Sequence, residues 1–169
     1  HETATILRGL SAIDESYQDA LHFRFHASGP CLERFIESVN VGGFTDWFTF
    51  GGVLDNEAWQ ETMTQAPIGL VLLTDSAEFC MVPSKVYSAM AAGQAILAIC
   101  PERSDLADIV LEHECGWVIN PGDTAMLAET LKRIAQDPAS VDKKREHAYH
   151  AAHRRFCMPV VAQQWIALI

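Results

Sequence analysis

A chain of 169 residues is the size of one domain and buries roughly two-thirds of its unfolded surface on folding. Its 49% hydrophobic and 20% charged residues are ordinary globular proportions. The net charge of −10 excludes a nucleic-acid-coating surface, which needs clustered Lys and Arg, and no apolar run reaches the ~18–20 residues of a membrane span.

Ile6, Leu7, Leu10 and Ile13 recur at helical spacing and predict an amphipathic helix over 2–15. Residues 21–26 alternate apolar and polar, the period of a strand, and Gly29-Pro30 ends it. Leu32, Phe35, Ile36 and Val39 form a second helical stripe. A short strand over 47–50 runs into Gly51-Gly52, after which Asp55 is placed to cap a helix reaching Gln65. Residues 68–73 are continuously apolar, as in a buried parallel strand. An irregular stretch over 74–83 leads to a helix over 84–92 that stops at Gly93. Then follow a strand at 96–99, a helix at 104–112, a strand at 117–119 and an Asn-Pro-Gly-Asp turn. Helices over 124–136, 139–154 and 160–169 complete the chain. Strands alternating with helices through short linkers predict an α/β fold with a doubly wound parallel sheet.

Five scattered cysteines without a C-x-x-C pair point to reduced thiols and a cytoplasmic setting, and no basic and apolar leader opens the chain. His147, His150 and His153 share a helical spacing but lack further ligands, so no metal is expected. Lys143, Lys144, Arg145, Arg154 and Arg155 are expected to form a solvated helix face. Trp59 and Trp117 are expected to pack in a core or interface rather than stack on a ligand. Asp123 is expected to be a turn or cap residue, and Glu102, Asp105 and Asp108 a solvated helix start.

The chemistry is expected where ligands of open parallel sheets bind, outside the carboxyl ends of the strands. The longest irregular connection, 74–83, leads into Val82-Pro83-Ser84-Lys85. Ser84 is placed to cap the helix and Pro83 to fix the chain entering it. Free first-turn amides, the helix dipole and the Lys85 ammonium would then attract phosphate. Lys85 and Ser88 share one helix face, while Val86, Ala89 and Met90 share the buried one. By itself a capped helix with an exposed lysine is more often structural.

The segment from Val82 through Pro83-Ser84-Lys85-Val86-Tyr87-Ser88 and Ala91-Ala92-Gly93-Gln94-Ala95 to Ile96 resembles the donor-binding motif of the group 1 retaining glycosyltransferases. Cys115-Gly116-Trp117-Val118-Ile119-Asn120-Pro121-Gly122-Asp123 is similar to that family's cysteine-glycine strand and Pro-Gly-Asp turn. The helix up to Asp137-Pro138 resembles the one that follows, and the stretches 25–29 and 48–53 resemble the family's strand-loop elements. The likeness runs from the first residue to about 156.

The resemblance implies the C-terminal, Rossmann-like domain of a two-domain GT-B enzyme, holding a nucleotide-sugar donor with no metal or other cofactor. It implies that Pro83, Ser84, Lys85 and Val86 meet the diphosphate and that Glu78 and Phe79 face the donor sugar, with Lys85 and Glu78 as candidate catalytic groups. Gly52 and Val53 would line the base pocket through their backbone. Ser88 stands where relatives often place a ribose-binding Glu, and Ala95 where Pro is common. By the same resemblance the chain is a single nucleotide-sugar-binding domain lacking its first strand and the preceding acceptor domain. The full-length protein has room for peripheral membrane association. Two other readings stay open on sequence alone: a nucleotide-sugar epimerase of similar architecture and a non-catalytic nucleotide-binding module.

Overall fold

The computed structural model describes residues 2–74 and 82–167. Five strands, Phe23–His26 (β1), Phe48–Gly51 (β2), Ile68–Leu72 (β3), Ala95–Ile99 (β4) and Gly116–Ile119 (β5), alternate with helices, and every strand pair is parallel. The helices are Glu2–Leu10 (α1), Pro30–Val41 (α2), Asn56–Gln65 (α3), Lys85–Ala91 (α4), Asp105–Glu112 (α5), Thr124–Gln136 (α6), Pro138–Ala151 (α7) and Met158–Ile166 (α8). The α/β class and the position of every predicted strand are as the sequence pattern implies. The described ladders group into two sheets, β1-β2 and β3-β4-β5. They lie in two compact units, His1–Glu61 with Gly122–Asp137, and Thr62–Pro121 with Pro138–Ile169.

In the first unit, alternate residues of β1 and β2 put Phe23, Phe25, Phe48 and Phe50 on one face, where Phe35 of α2 packs edge-on against Phe48 at 5.5 Å between centroids. Such pairs add about 0.5–1.5 kcal/mol each beyond the area they bury. Helix α1 ends at Leu10, sooner than its apolar pattern predicts, and a 3-10 turn at Glu15–Tyr17 follows, with the Asp14 carboxylate accepting from the Ser16 amide. Ile6 and Leu10 are fully buried, and Gly9 of α1 lies against Leu127 of α6 so closely that a Cβ would stand 2.8 Å from it. The Asp123 carboxylate accepts from the Met126 amide at 2.9 Å, which is the capping role expected of it.

In the second unit, β4 is buried along its whole length between β3 and β5, hence its unbroken apolar sequence. Ser104 caps α5, accepting from the Ala107 amide, and Asp105 and Asp108 are exposed in its first turn. The motif pair Cys115-Gly116 has a packing cause. A Cβ on Gly116 would lie 1.9 Å from the Ile96 carbonyl oxygen, so no other residue fits there. The predicted helix over 139–154 is α7 followed by a π turn at Ala152–Phe156, and α8 leaves Met158, Trp165 and Ile166 exposed.

Two expectations are corrected, those for Trp59 and for the basic run, while Trp117 is packed in part. Trp59 is 44% exposed, because α3 buries none of its residues fully. Trp117 is half-buried under the Lys144 ammonium, 5.1 Å from the ring centroid. The basic run is not only a solvated face: Arg145 reaches back to the carbonyl of Gly93 at 2.9 Å.

Candidate nucleotide-diphosphate site

The sequence Lys85–Ala91 forms a helix because Val86, Ala89 and Met90 recur on one face and are all buried against the sheet. Tyr87 packs on Phe156 at 4.9 Å, which fixes the helix from a second side. Its far end is closed by Gly93, whose φ of 74° only glycine adopts freely, and the orphan Gly93 carbonyl accepts from the Arg145 guanidinium. The buried Gln94 amide donates to the Met63 carbonyl at 2.7 Å, tying the exit of α4 to the end of α3. The Ala95 amide donates to the Pro67 carbonyl at 3.0 Å, a bond that a proline there could not make.

This clamping leaves the amino end of α4 outward. Ser84 and Lys85 are exposed, Ser88 is half-buried one turn on, Pro83 is half-buried and the Val86 side chain is wholly buried. Of that group, then, only Ser84, Lys85 and Ser88 offer polar side chains, and Val86 can act only through its backbone. The expected cap is absent: Ser84 itself has helical φ and ψ, and its hydroxyl accepts nothing from the first turn. The expected free amide of Val86 is also corrected, since it donates to the Pro83 carbonyl at 3.0 Å, and Tyr87 donates to Ser84 at 3.2 Å. The Lys85 charge is therefore the larger part of any attraction for phosphate here. Gly52 and Val53 belong to the other unit, directly after β2. Both are exposed, Val53 to 75%, with open space around Gly52. Glu78 and Phe79 lie outside the described residues.

Arg145 and Gln94 are the positioning residues that sequence reading missed. Arg145 lies 52 residues from its partner, so no local pattern reveals it. Gln94 did leave a signal, as a polar residue leading straight into a fully apolar strand.

The described fold, parallel strands alternating with helices, is similar to the Rossmann-like domains of solved GT-B glycosyltransferases. No protein-family model matches the chain. A segment of 69 residues is 33% identical to "Probable glycosyltransferase WbjE" of Pseudomonas aeruginosa, covering 41% of this chain and 17% of that protein. In structure, 99% of the chain superposes on 41% of sucrose-phosphate synthase from Thermosynechococcus elongatus, with a TM-score of 0.78 and 22% identity. Similarly, 98% superposes on 43% of HepE from Anabaena, solved in complex with UDP and glucose, with a TM-score of 0.74 and 16% identity. The chain thus spans less than half the length of each.

Proposed function

We propose that this chain is the donor-binding half of a group 1, GT-B glycosyltransferase, which moves a sugar from a nucleoside-diphosphate sugar to an acceptor held by another domain. The observation that carries the reading is the superposition of nearly the whole chain on HepE, a protein solved with UDP and glucose, together with the WbjE-like segment. The sequence relative is a transferase, which favours transfer over epimerisation. Among the described residues no helix is long and apolar enough to cross a membrane.

In this reading Lys85 meets the diphosphate, with Ser84, Pro83 and Val86 shaping its seat and Ser88 bonding a ribose hydroxyl. Gly52 and Val53 line the base pocket, and Glu78 and Phe79 face the donor sugar. The reaction breaks the bond between the anomeric carbon and the diphosphate oxygen, so negative charge grows on the leaving diphosphate. A fixed ammonium beside that charge lowers the barrier by electrostatics alone, without a metal.

The test is calorimetric titration of nucleoside diphosphates. A charge-assisted hydrogen bond contributes about 1.5–3 kcal/mol, so Lys85→Ala should weaken binding by roughly one to two orders of magnitude. Lys85 is exposed, so stability should change by only about 0.5 kcal/mol. Lys132→Ala, in α6, has no assigned role and should leave affinity alone. Equal affinity of wild type and Lys85→Ala would remove Lys85 from the site.

A further inference from the structure

We infer that Phe156, seated on α4 by the π turn at Ala152–Phe156, is a positioning residue that sets the roll of α4 and so the place of Lys85; the inference rests on the donor-site reading above. Every residue involved lies in the second compact unit. Helix α4 has only seven residues and rests on the core by one stripe, Val86, Ala89 and Met90. A single stripe fixes how deep a short helix sits but not its rotation about its own axis. Lys85 and Tyr87 are two residues apart, about 200° around the axis, so they stand on opposite flanks of that stripe. Whatever holds Tyr87 therefore holds Lys85 against roll.

Tyr87 is held by Phe156, its ring centroid 4.9 Å away and the planes at 56°. Phe156 in turn meets His113, the C-cap of α5, edge-on at 5.5 Å and 78°. Its ring is thus wedged between the flank of α4 and the end of α5.

The π turn is what brings Phe156 there. Ala148, Ala151 and Ala152 are buried along one line of α7 and its extension. At about 3.6 residues per turn that line would next meet residue 155. A π turn closes from residue i to i+5 and takes up more residues per turn, which carries the line on to 156. Phe156 is accordingly half-buried against the core, while Arg155 is exposed and reaches the Glu112 carboxylate at 3.6 Å. That ion pair lies in solvent on both sides and contributes little. Helix α8, which leaves the turn, buries none of its residues, so the aromatic contacts are the main hold on the turn at this end. Phe156 touches no reacting atom; it acts through Tyr87 and α4.

The test is a double-mutant cycle in the intact protein, read by calorimetric titration of UDP, ADP and GDP, with the tightest of the three followed through the cycle. Phe156→Leu removes the ring but keeps most of the bulk, which guards against unfolding. It should weaken binding about fivefold when Lys85 is present and less than about twofold in Lys85→Ala, because a displaced lysine and an absent one are alike to the ligand. Phe156→Tyr, which keeps the ring, should bind as wild type does. Tyr87→Leu should weaken binding as Phe156→Leu does and add little to it. The same loss from Phe156→Leu in both Lys85 backgrounds would mark a general structural role and overturn the inference, as would no loss in either. A wild-type protein that binds none of the three nucleotides, or binds them no better than Lys85→Ala, would overturn the donor-site reading itself.

Discussion

The thiol of Cys115 is wholly buried, and burial pushes its pKa up to about 11, while Cys100 is raised for the same reason. The native protein therefore keeps these thiols protonated at a pH where the unfolded chain has begun to ionise. The sign follows: their contribution to stability is complete below the ordinary thiol pKa and is lost as pH rises from there toward 11. For Cys115 the loss is on the order of 3 kcal/mol, since each pKa unit is worth about 1.4 kcal/mol. Urea midpoints between about pH 8 and 11 should fall less steeply for Cys115→Ala than for wild type, and parallel slopes would count against this account. Next to it, Gly116→Ala drives a methyl into the Ile96 carbonyl of the buried strand β4. Neither backbone has room to yield, so the substitution should cost about 3 kcal/mol, against about 0.5 kcal/mol for Gly52→Ala in open space. Denaturant midpoints of the two variants check this directly. The sequence showed a cysteine-glycine pair as a motif, but the contact that demands the glycine comes from a strand twenty residues earlier in register and is invisible locally.

At the scale of elements, the parts governed by local rules were legible. Asp55 and Asp123, both expected as caps, each accept a first-turn amide, and Ser104, which the sequence marks only as a helix start, does the same. Ser84 has the same residue type as Ser104 at a helix start, but its backbone is already helical, so its hydroxyl points to no first-turn amide. Replacement by Ala should accordingly cost about 1 kcal/mol at Asp123 or Ser104 and close to nothing at Ser84, as thermal or denaturant unfolding would show. Helix α1 stopped short because Asp14 captured the Ser16 amide and opened a 3-10 turn, a local competitor that apolar spacing does not register. Ala95 marks where family likeness and this chain part. Its amide supplies the Pro67 bond, so Ala95→Pro should destabilise the protein by about 1–3 kcal/mol despite bringing the residue nearer the family pattern. Unchanged stability in that variant would mean that the Pro67 carbonyl finds another donor.

For the molecule as a whole, the sheet class was readable because burial on both faces writes itself as apolar runs such as that of β4, and a candidate site region could be nominated because ligands gather at carboxyl strand ends. What could not be read was the support of that site. Arg145, Gln94 and Phe156 hold α4 from residues distant in sequence. The same limit applies to catalysis. The chain spans 41–43% of the two structures described above, so under the proposed function it holds one of two reactants. Orienting both reactants together is worth effective molarities of about 10⁵ M or more, and a polypeptide that binds only the donor forgoes them. The 169-residue chain alone should therefore bind nucleoside diphosphates, which also reports that it is folded, yet transfer no sugar to a simple acceptor at a measurable rate. The intact protein should transfer under the same conditions. Transfer by the 169-residue chain at a rate near that of the intact protein would place the acceptor within these residues and refute the division of labour proposed for them.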